Sequence, residues 1–329
     1  MRALVITRSG PPEVLEVQER PEPEPGPGQV KVRVRAAGIN FADTMARQGL
    51  YPDAPKPPSV VGYEFAGELD SGERVLGGCR FGGYAEYVVA DRANVMPLPE
   101  RWSFEQGAAM PVNYATAWAG LVRYGNVQEG ERVLLQAAAG GVGIAATQVA
   151  KLRGAEVYGT ASASKHEAIR GFGVDHAIDY RDEDFLKAVR RIAGAKQPLD
   201  LVMDAVGGAS FGKSFSLLRP GGRLVCFGAS AVTSGERRSL PQALKTMART
   251  RIFHPMPLMS ESKSVVGLNM LTLWDSKGSL DEYLEALRPL AEDGSLRPVV
   301  AKAFPLEEGP AAHRYIAERK NVGKVVLTL

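Results

Sequence analysis

Val30, Val32 and Val34 alternate with Lys31, Arg33 and Arg35, the period of two that a strand shows when one face is buried and the other wet. Short runs of the same kind recur at 3–7, 60–69 and 84–89, divided by Pro/Gly-rich stretches at 21–28 and 52–58. The first hundred residues therefore predict a small, irregular β domain. At Ser103 the pattern changes, because Ser103 and Gln106 have capping-box spacing and open a helix that carries Ala108, Ala109 and Met110.

From residue 131 to about 273, short apolar runs at 132–136, 156–160, 176–179, 199–206 and 223–228 alternate with segments of helical spacing. Asp182 is placed to cap one such helix, with Phe185, Val189 and Ile192 on a single face. Strands alternating with helices predict right-handed βαβ units and a doubly wound parallel sheet. Beyond it, Ser279 and Glu282 predict a second capping box. The box leads into Leu280, Tyr283, Leu284 and Leu287 at i, i+3, i+4, i+7 spacing, with Gly294 as the stop. Pro289 lies inside that pattern and is expected to kink or break its last turn. The tail 325–329 reads as a final strand.

Composition narrows the function classes. The 329 residues suit about two domains, and an apolar share of 45% with 23% charged excludes disordered and fibrous chains. Net charge is 40 − 37 = +3 with no run of Lys or Arg, which argues against nucleic acid as the partner. Cys79 and Cys226 have neither C-x-x-C nor metal spacing and read as free thiols in a reducing compartment. The apolar stretch 107–122 is too short to span a bilayer, and the N-terminus enters a strand pattern without the features of a signal peptide. A cytoplasmic location is expected. His166, His176, His254 and His313 are scattered, and Asp182-Glu183-Asp184 reads as helix N-terminal charge, so neither predicts a metal site.

The strongest chemical signal is Val133-Leu134-Leu135-Gln136-Ala137-Ala138-Ala139-Gly140-Gly141-Val142-Gly143, a strand pattern running into a small-residue turn that opens a helix. As a dinucleotide fingerprint, Ala138, Gly140 and Gly143 take the three glycine positions. Gly140 leaves room for a diphosphate at the backbone, and Gly143 allows close packing of helix on strand. The unpaired N–H groups near Ala139, Gly140, Gly141, Val142 and Gly143 would then face the diphosphate at the positive end of the helix dipole. The next strand ends without an acid to grip ribose hydroxyls; Thr160, Ser162, Ser164 and Lys165 stand there instead, which suits a 2′-phosphate and favours NADP(H). The alternative is that Ser162 caps the next helix and Lys165 is a solvated charge.

With these motifs in place, the chain resembles the medium-chain dehydrogenase/reductase superfamily. In Gly38-Ile39-Asn40-Phe41-Ala42-Asp43, Asn40 stands where the zinc alcohol dehydrogenases carry a cysteine. In Gly62-Tyr63-Glu64, Tyr63 stands where they carry a histidine. Two cysteines cannot supply the structural zinc lobe. Together with Gly49-Leu50-Tyr51-Pro52, these substitutions are similar to the zinc-independent quinone oxidoreductase (zeta-crystallin-like) branch. Met45-Ala46-Arg47-Gln48-Gly49-Leu50-Tyr51 and Lys320-Asn321-Val322-Gly323-Lys324 resemble its vesicle amine transport protein-like group. The stretch 67–75 is shorter than is usual there, so substrate access could differ.

That resemblance implies an α/β chain with a GroES-like β-rich catalytic domain at 1–112 and 274–329 and a Rossmann NADP(H)-binding domain at 113–273. It implies no metal, and a homodimer joined at the Rossmann sheet edge near 265–268. It further implies that Asn40, Asp43 and Tyr51 line the substrate and nicotinamide site, and that Asn113 and Thr116 flank the nicotinamide. Tyr180 would cover the adenosine end, Phe227, Gly228 and Ser230 would approach the nicotinamide ribose, and Asn321 and Lys324 would lie near the coenzyme. Asn40 and Asp43 could instead satisfy backbone groups, and Tyr51 could pack under the proline loop. The implied activity is NADPH-dependent reduction of a small-molecule quinone or α,β-unsaturated carbonyl, with the Asn40 amide and Tyr51 hydroxyl as donors to its oxygen. An enoyl-thioester reductase and a non-catalytic NADPH-binding interaction protein are the alternatives.

Overall fold

A computed structural model describes residues 1–233 and 239–329. The chain forms two compact units: among the described residues one holds 1–115 and 270–329, the other 116–233 and 239–269. The division falls a few residues from the boundaries expected at 112 and 274, so Asn113 belongs to the first unit and Thr116 opens the second.

The first unit is β-rich. Gln29–Ile39 is its longest strand, pairing antiparallel with Glu64–Leu69, Tyr87–Asp91 and the C-terminal Lys324–Thr328. Its alternation ends midway: Val32 and Val34 are buried beside half-buried or exposed Lys31, Arg33 and Arg35, whereas every residue from Ala36 to Ile39 is buried. The expected strand at 60–69 is two, Ser59–Val60 and Glu64–Leu69, because Gly62 takes a positive φ of 97° between them. The short stretch 67–75 is a tight hairpin in which Gly72 N–H donates to Leu69 O and Leu69 N–H to Glu73 O. Leu4, Val34, Phe65, Val75, Phe304 and Leu327 centre the core of this unit.

Ser103 caps Phe104–Ala108 with the expected reciprocal bonds to Gln106, but the helix stops before Pro111, which begins Pro111–Trp118. The second capping box does not form. Leu280 takes the N-cap position of Asp281–Glu292, donating its N–H to Asn94 Oδ1, while the Ser279 hydroxyl bonds Asp281 and Glu282 pairs with Lys277. Burial of Leu280 with Tyr283, Leu284 and Leu287 outweighs the polar cap. Pro289 does not break this helix, which continues to Glu292 with Asp293 N–H donating to Pro289 O.

The second unit carries a six-stranded, all-parallel sheet. Its strand order is His176–Asp179, Glu156–Ala161, Arg132–Leu135, Leu199–Asp204, Leu218–Cys226, Ser264–Gly267. Chain order reverses between Arg132–Leu135 and Leu199–Asp204, the switch point where a doubly wound fold opens a crevice at the strands' carboxyl ends. Leu199–Asp204 is buried along its whole length, as a central parallel strand should be. Asp184, not Asp182, caps Phe185–Ala193, accepting from Leu186 N–H at 2.9 Å; a cap two residues later brings Val189 into the core. Among the described residues no helix is long and apolar enough to cross a membrane.

Candidate functional site

The turn after Arg132–Leu135 is held by its neighbours. Gln136 N–H donates to Met203 O, Ala138 N–H to Thr160 O, and Ala137 N–H to the Thr160 hydroxyl, which itself donates to Gln136 Oε1 at 2.7 Å. Thr160, expected at the coenzyme, is therefore a buried brace of the turn. Ala137, one position before the fingerprint's first glycine place at Ala138, makes a left-handed bend at φ +57°. Gly140 is the N-cap of Gly141–Leu152 and has no side chain to offer it, so the first-turn amides of Gly141, Val142 and Gly143 have no carbonyl within the helix to bond.

The two glycines differ. A Cβ on Gly143 would lie 2.4 Å from Ala137 O and 2.6 Å from Ala138 Cα, so the turn itself forbids it. A Cβ on Gly140 would meet only Ala137 O, at 3.4 Å. The space over Gly140 is thus a cradle that a Cβ would fill, next to three free amides and the positive helix end. It fits a diphosphate.

At the end of Glu156–Ala161, Ser162 is buried and its hydroxyl lies 3.4 Å from that of Ser164, without capping a helix; Lys165 is half-buried nearby. Tyr180 follows His176–Asp179 and is exposed. One acid was missed. Asp179 pairs in register with Ala161 and accepts from Ala163 N–H at 3.0 Å and Arg181 N–H at 2.9 Å; the Arg181 amide above all holds its carboxyl below the usual range. It reaches this loop from the neighbouring strand, which a search along one strand does not see. Phe227, Gly228 and Ser230 pack on the adjacent loop: Phe227 N–H donates to Asp204 O, Ser230 N–H to Ala205 O, and a Cβ on Gly228 would lie 2.9 Å from Ala205 O. Gly228 is bare because of Ala205.

The first unit contains a buried polar cluster. Lys324 forms an ion pair with Glu64, both almost fully enclosed, and donates to Asn40 Oδ1 at 2.5 Å and toward Asn113 Oδ1 at 3.5 Å. Asn40 Nδ2 donates to Glu64 Oε1 at 2.9 Å, Val112 N–H to Glu64 Oε2 at 2.8 Å, and Asn113 Nδ2 to Ala109 O. Lys324 and Asn113, expected at the coenzyme, are thus turned into this cluster, and Asn321 donates to Gly323 O. Asn40 spends its carbonyl and one N–H here and keeps the second N–H.

Asp43 is also turned inward. Its oxygens accept from Asn40 N–H at 2.7 Å, Gly62 N–H at 3.3 Å and the Tyr84 hydroxyl at 2.7 Å, and burial pushes its pKa up to about 6. It braces the start of Phe41–Arg47 and does not serve as a free acid. Tyr51 is half-buried, its pKa pushed up to about 12 by burial first and then by Asp53 and Asp43, so it remains a neutral donor. Thr116 is buried in Pro111–Trp118. Both cysteines are free thiols.

Residues 26–100 match the alcohol dehydrogenase GroES-like domain, and 172–327 the description "Zinc-binding dehydrogenase". A curated relative from Danio rerio, "Synaptic vesicle membrane protein VAT-1 homolog", is 38% identical over 99% of this chain and 70% of its own length. The chain belongs to the medium-chain dehydrogenase/reductase family. Two solved members are close in structure. The quinone oxidoreductase of Thermus thermophilus, studied also in complex with NADPH, is 35% identical with a TM-score of 0.82 over 100% of both chains. The CurK enoyl reductase is 27% identical with a TM-score of 0.85 over 99% of this chain and 98% of that one. The oxidoreductase class and the GroES-like plus Rossmann architecture of the family hold for this member.

Proposed function

We propose that this chain is a zinc-independent, NADPH-dependent reductase of quinones or α,β-unsaturated carbonyls. The observation that carries the reading is the bare Gly140 N-cap, open above its Cα and followed by three amides with no intrahelical partner. Ser162 and Lys165 beyond the next strand would receive the 2′-phosphate, and the NADPH complex of the Thermus thermophilus relative supports that coenzyme. When bound, the coenzyme supplies a hydride from its reduced nicotinamide. The chain's own residues hold the acceptor. The Tyr51 hydroxyl and the second N–H of Asn40 donate to the carbonyl oxygen as negative charge gathers there. Because Asn40 Oδ1 accepts from the Lys324 ammonium, its carboxamide is polarised and its N–H is a stronger donor. The completing proton comes from Tyr51 or water. Zinc independence rests on donor chemistry: Asn40 and Tyr63 replace the thiolate and imidazole of the zinc enzymes.

A homodimer is part of the reading. Among the described residues, Ser264–Gly267 pairs on one side only. The segment leading into it exposes Leu244, Met247, Ile252, Met256 and Met259. The CurK relative favours a second reading, reduction of an enoyl thioester. The test is loss of reduced-nicotinamide absorbance with a panel of quinones, enones, enals and enoyl thioesters, NADPH and NADH in parallel. Consumption of a quinone or enone with NADPH is the expected result; tight NADPH binding with every acceptor untouched would leave a binding protein instead.

A further inference from the structure

We propose that the Tyr63 hydroxyl is a second donor to the substrate oxygen, working beside Tyr51. The inference deepens the reductase reading and rests on it for the reaction. Tyr63 is only 4% exposed, and its hydroxyl has no hydrogen-bond partner. A phenylalanine would fill the same space without that orphaned group, whose burial without a partner is a net cost to the fold.

The protein's own acceptors nearby are already committed. Asp43, close enough to act on Tyr63 electrostatically, has its oxygens occupied by Asn40, Gly62 and Tyr84. The Cys79 thiol is directed to Gly62 O at 3.5 Å. The Tyr63 backbone is fixed, since its carbonyl accepts from Cys79 N–H at 2.9 Å, and its ring rests on Phe81 at 5.3 Å between centroids. Backbone and ring are therefore held in place, with the hydroxyl screened from solvent and near enough to Tyr51 to feel it electrostatically. An oxygen brought in from outside is the partner that would satisfy it. One on which negative charge develops would gain most, because a preset donor in a water-poor site needs no reorganisation.

No bond to Tyr63 is made or broken. Burial pushes its pKa far above the ordinary phenol value, so the proton stays on it. The hydride adds to the acceptor carbon, its electron pair displaces the π pair onto oxygen, the coenzyme leaves oxidised, and a proton from Tyr51 or water completes the product.

The test is Tyr63→Phe in the full chain, with Tyr51→Phe in parallel and three readouts. These are Tm, turnover of 1,4-naphthoquinone with NADPH, and the fraction of bound 4-nitrophenol held as the yellow phenolate at fixed pH in the presence of NADP+. That phenolate stands in for the quinol anion. The expected result for Tyr63→Phe is an unchanged or higher Tm, kcat/KM lowered by at least about tenfold, and a smaller phenolate fraction. Wild-type turnover and phenolate fraction in Tyr63→Phe would overturn the inference. If Tyr51→Phe is silent as well, the reading of the site falls with it; if Tyr51→Phe is impaired, that reading survives. A chain that reduces no acceptor, yet loses phenolate binding in Tyr63→Phe, would keep the donor and lose the reductase.

Discussion

Two polar regions of this chain are built by opposite means. The turn at 136–143 offers backbone amides from contiguous residues. The cluster at Lys324 is made of side chains, and its partners Asn40 and Lys324 stand 284 positions apart. A backbone site is sensitive to any added Cβ. A side-chain site is sensitive to the loss of one charge.

The largest effect should come from breaking the cluster. Glu64→Ala would strand the Lys324 ammonium in a nearly solvent-free position and cost about 3–5 kcal/mol in urea unfolding. The pair Glu64→Gln with Lys324→Met should recover most of that. A loss under about 1 kcal/mol for Glu64→Ala would show that water reaches the pair.

Next in size is the contrast between the two glycines. Gly143→Ala drives a Cβ into Ala137 O and should cost about 1–3 kcal/mol as well as coenzyme binding. Gly140→Ala should leave stability within about 0.5 kcal/mol, since its φ of −77° suits alanine and its Cβ clears Ala137 O. Yet it should weaken NADPH binding by at least about tenfold, one lost close contact being about 1.4 kcal/mol. Equal effects of the two substitutions on Tm would erase the distinction between a glycine the fold needs and one the ligand needs.

A smaller effect sets two buried groups of the first unit against each other. His313 is enclosed, neither ring nitrogen has a partner, and burial, then Arg47, pushes its pKa down to about 3. Its contribution is fully present above about pH 6.5 and declines as pH falls toward 3. Asp43 has the opposite sign: with a pKa raised to about 6, its contribution is present below about pH 4 and lost as pH rises through 6. Between pH 4 and 6 the two oppose each other. Urea midpoints measured over that range should fall less on acidification in His313→Leu than in the wild type, and more in Asp43→Asn.

Much of the second unit was legible in sequence because its signals are local. The alternation of strands and helices, the start of the helix at Gly141 and the reach of the central strands follow from neighbouring residues. The first unit's cluster was not. Asn40 and Lys324 each stood out, and Glu64 was read only as the end of the Gly62-Tyr63-Glu64 motif; nothing local says that it is the counter-ion of Lys324. Asp179 was missed for the same reason, since it meets the Ser162 loop through the pairing of Ala161 with Asp179. The three acids at 182–184 all suit a helix start; which one caps is decided by where Val189 must face.

The smallest expected change is at the edge of the coenzyme site. Lys165→Ala should reduce NADPH affinity by about tenfold, the worth of one charge-assisted contact, with NADH affinity unaltered.

Fluorescence titration of the wild-type chain with NADPH and with NADH is the most direct measurement. NADPH should bind at least about tenfold more tightly, with half or more of that preference lost in Lys165→Ala. Equal binding of the two coenzymes, or none at all, would contradict the assignment of the Gly140 turn and the Ser162–Lys165 loop to NADPH.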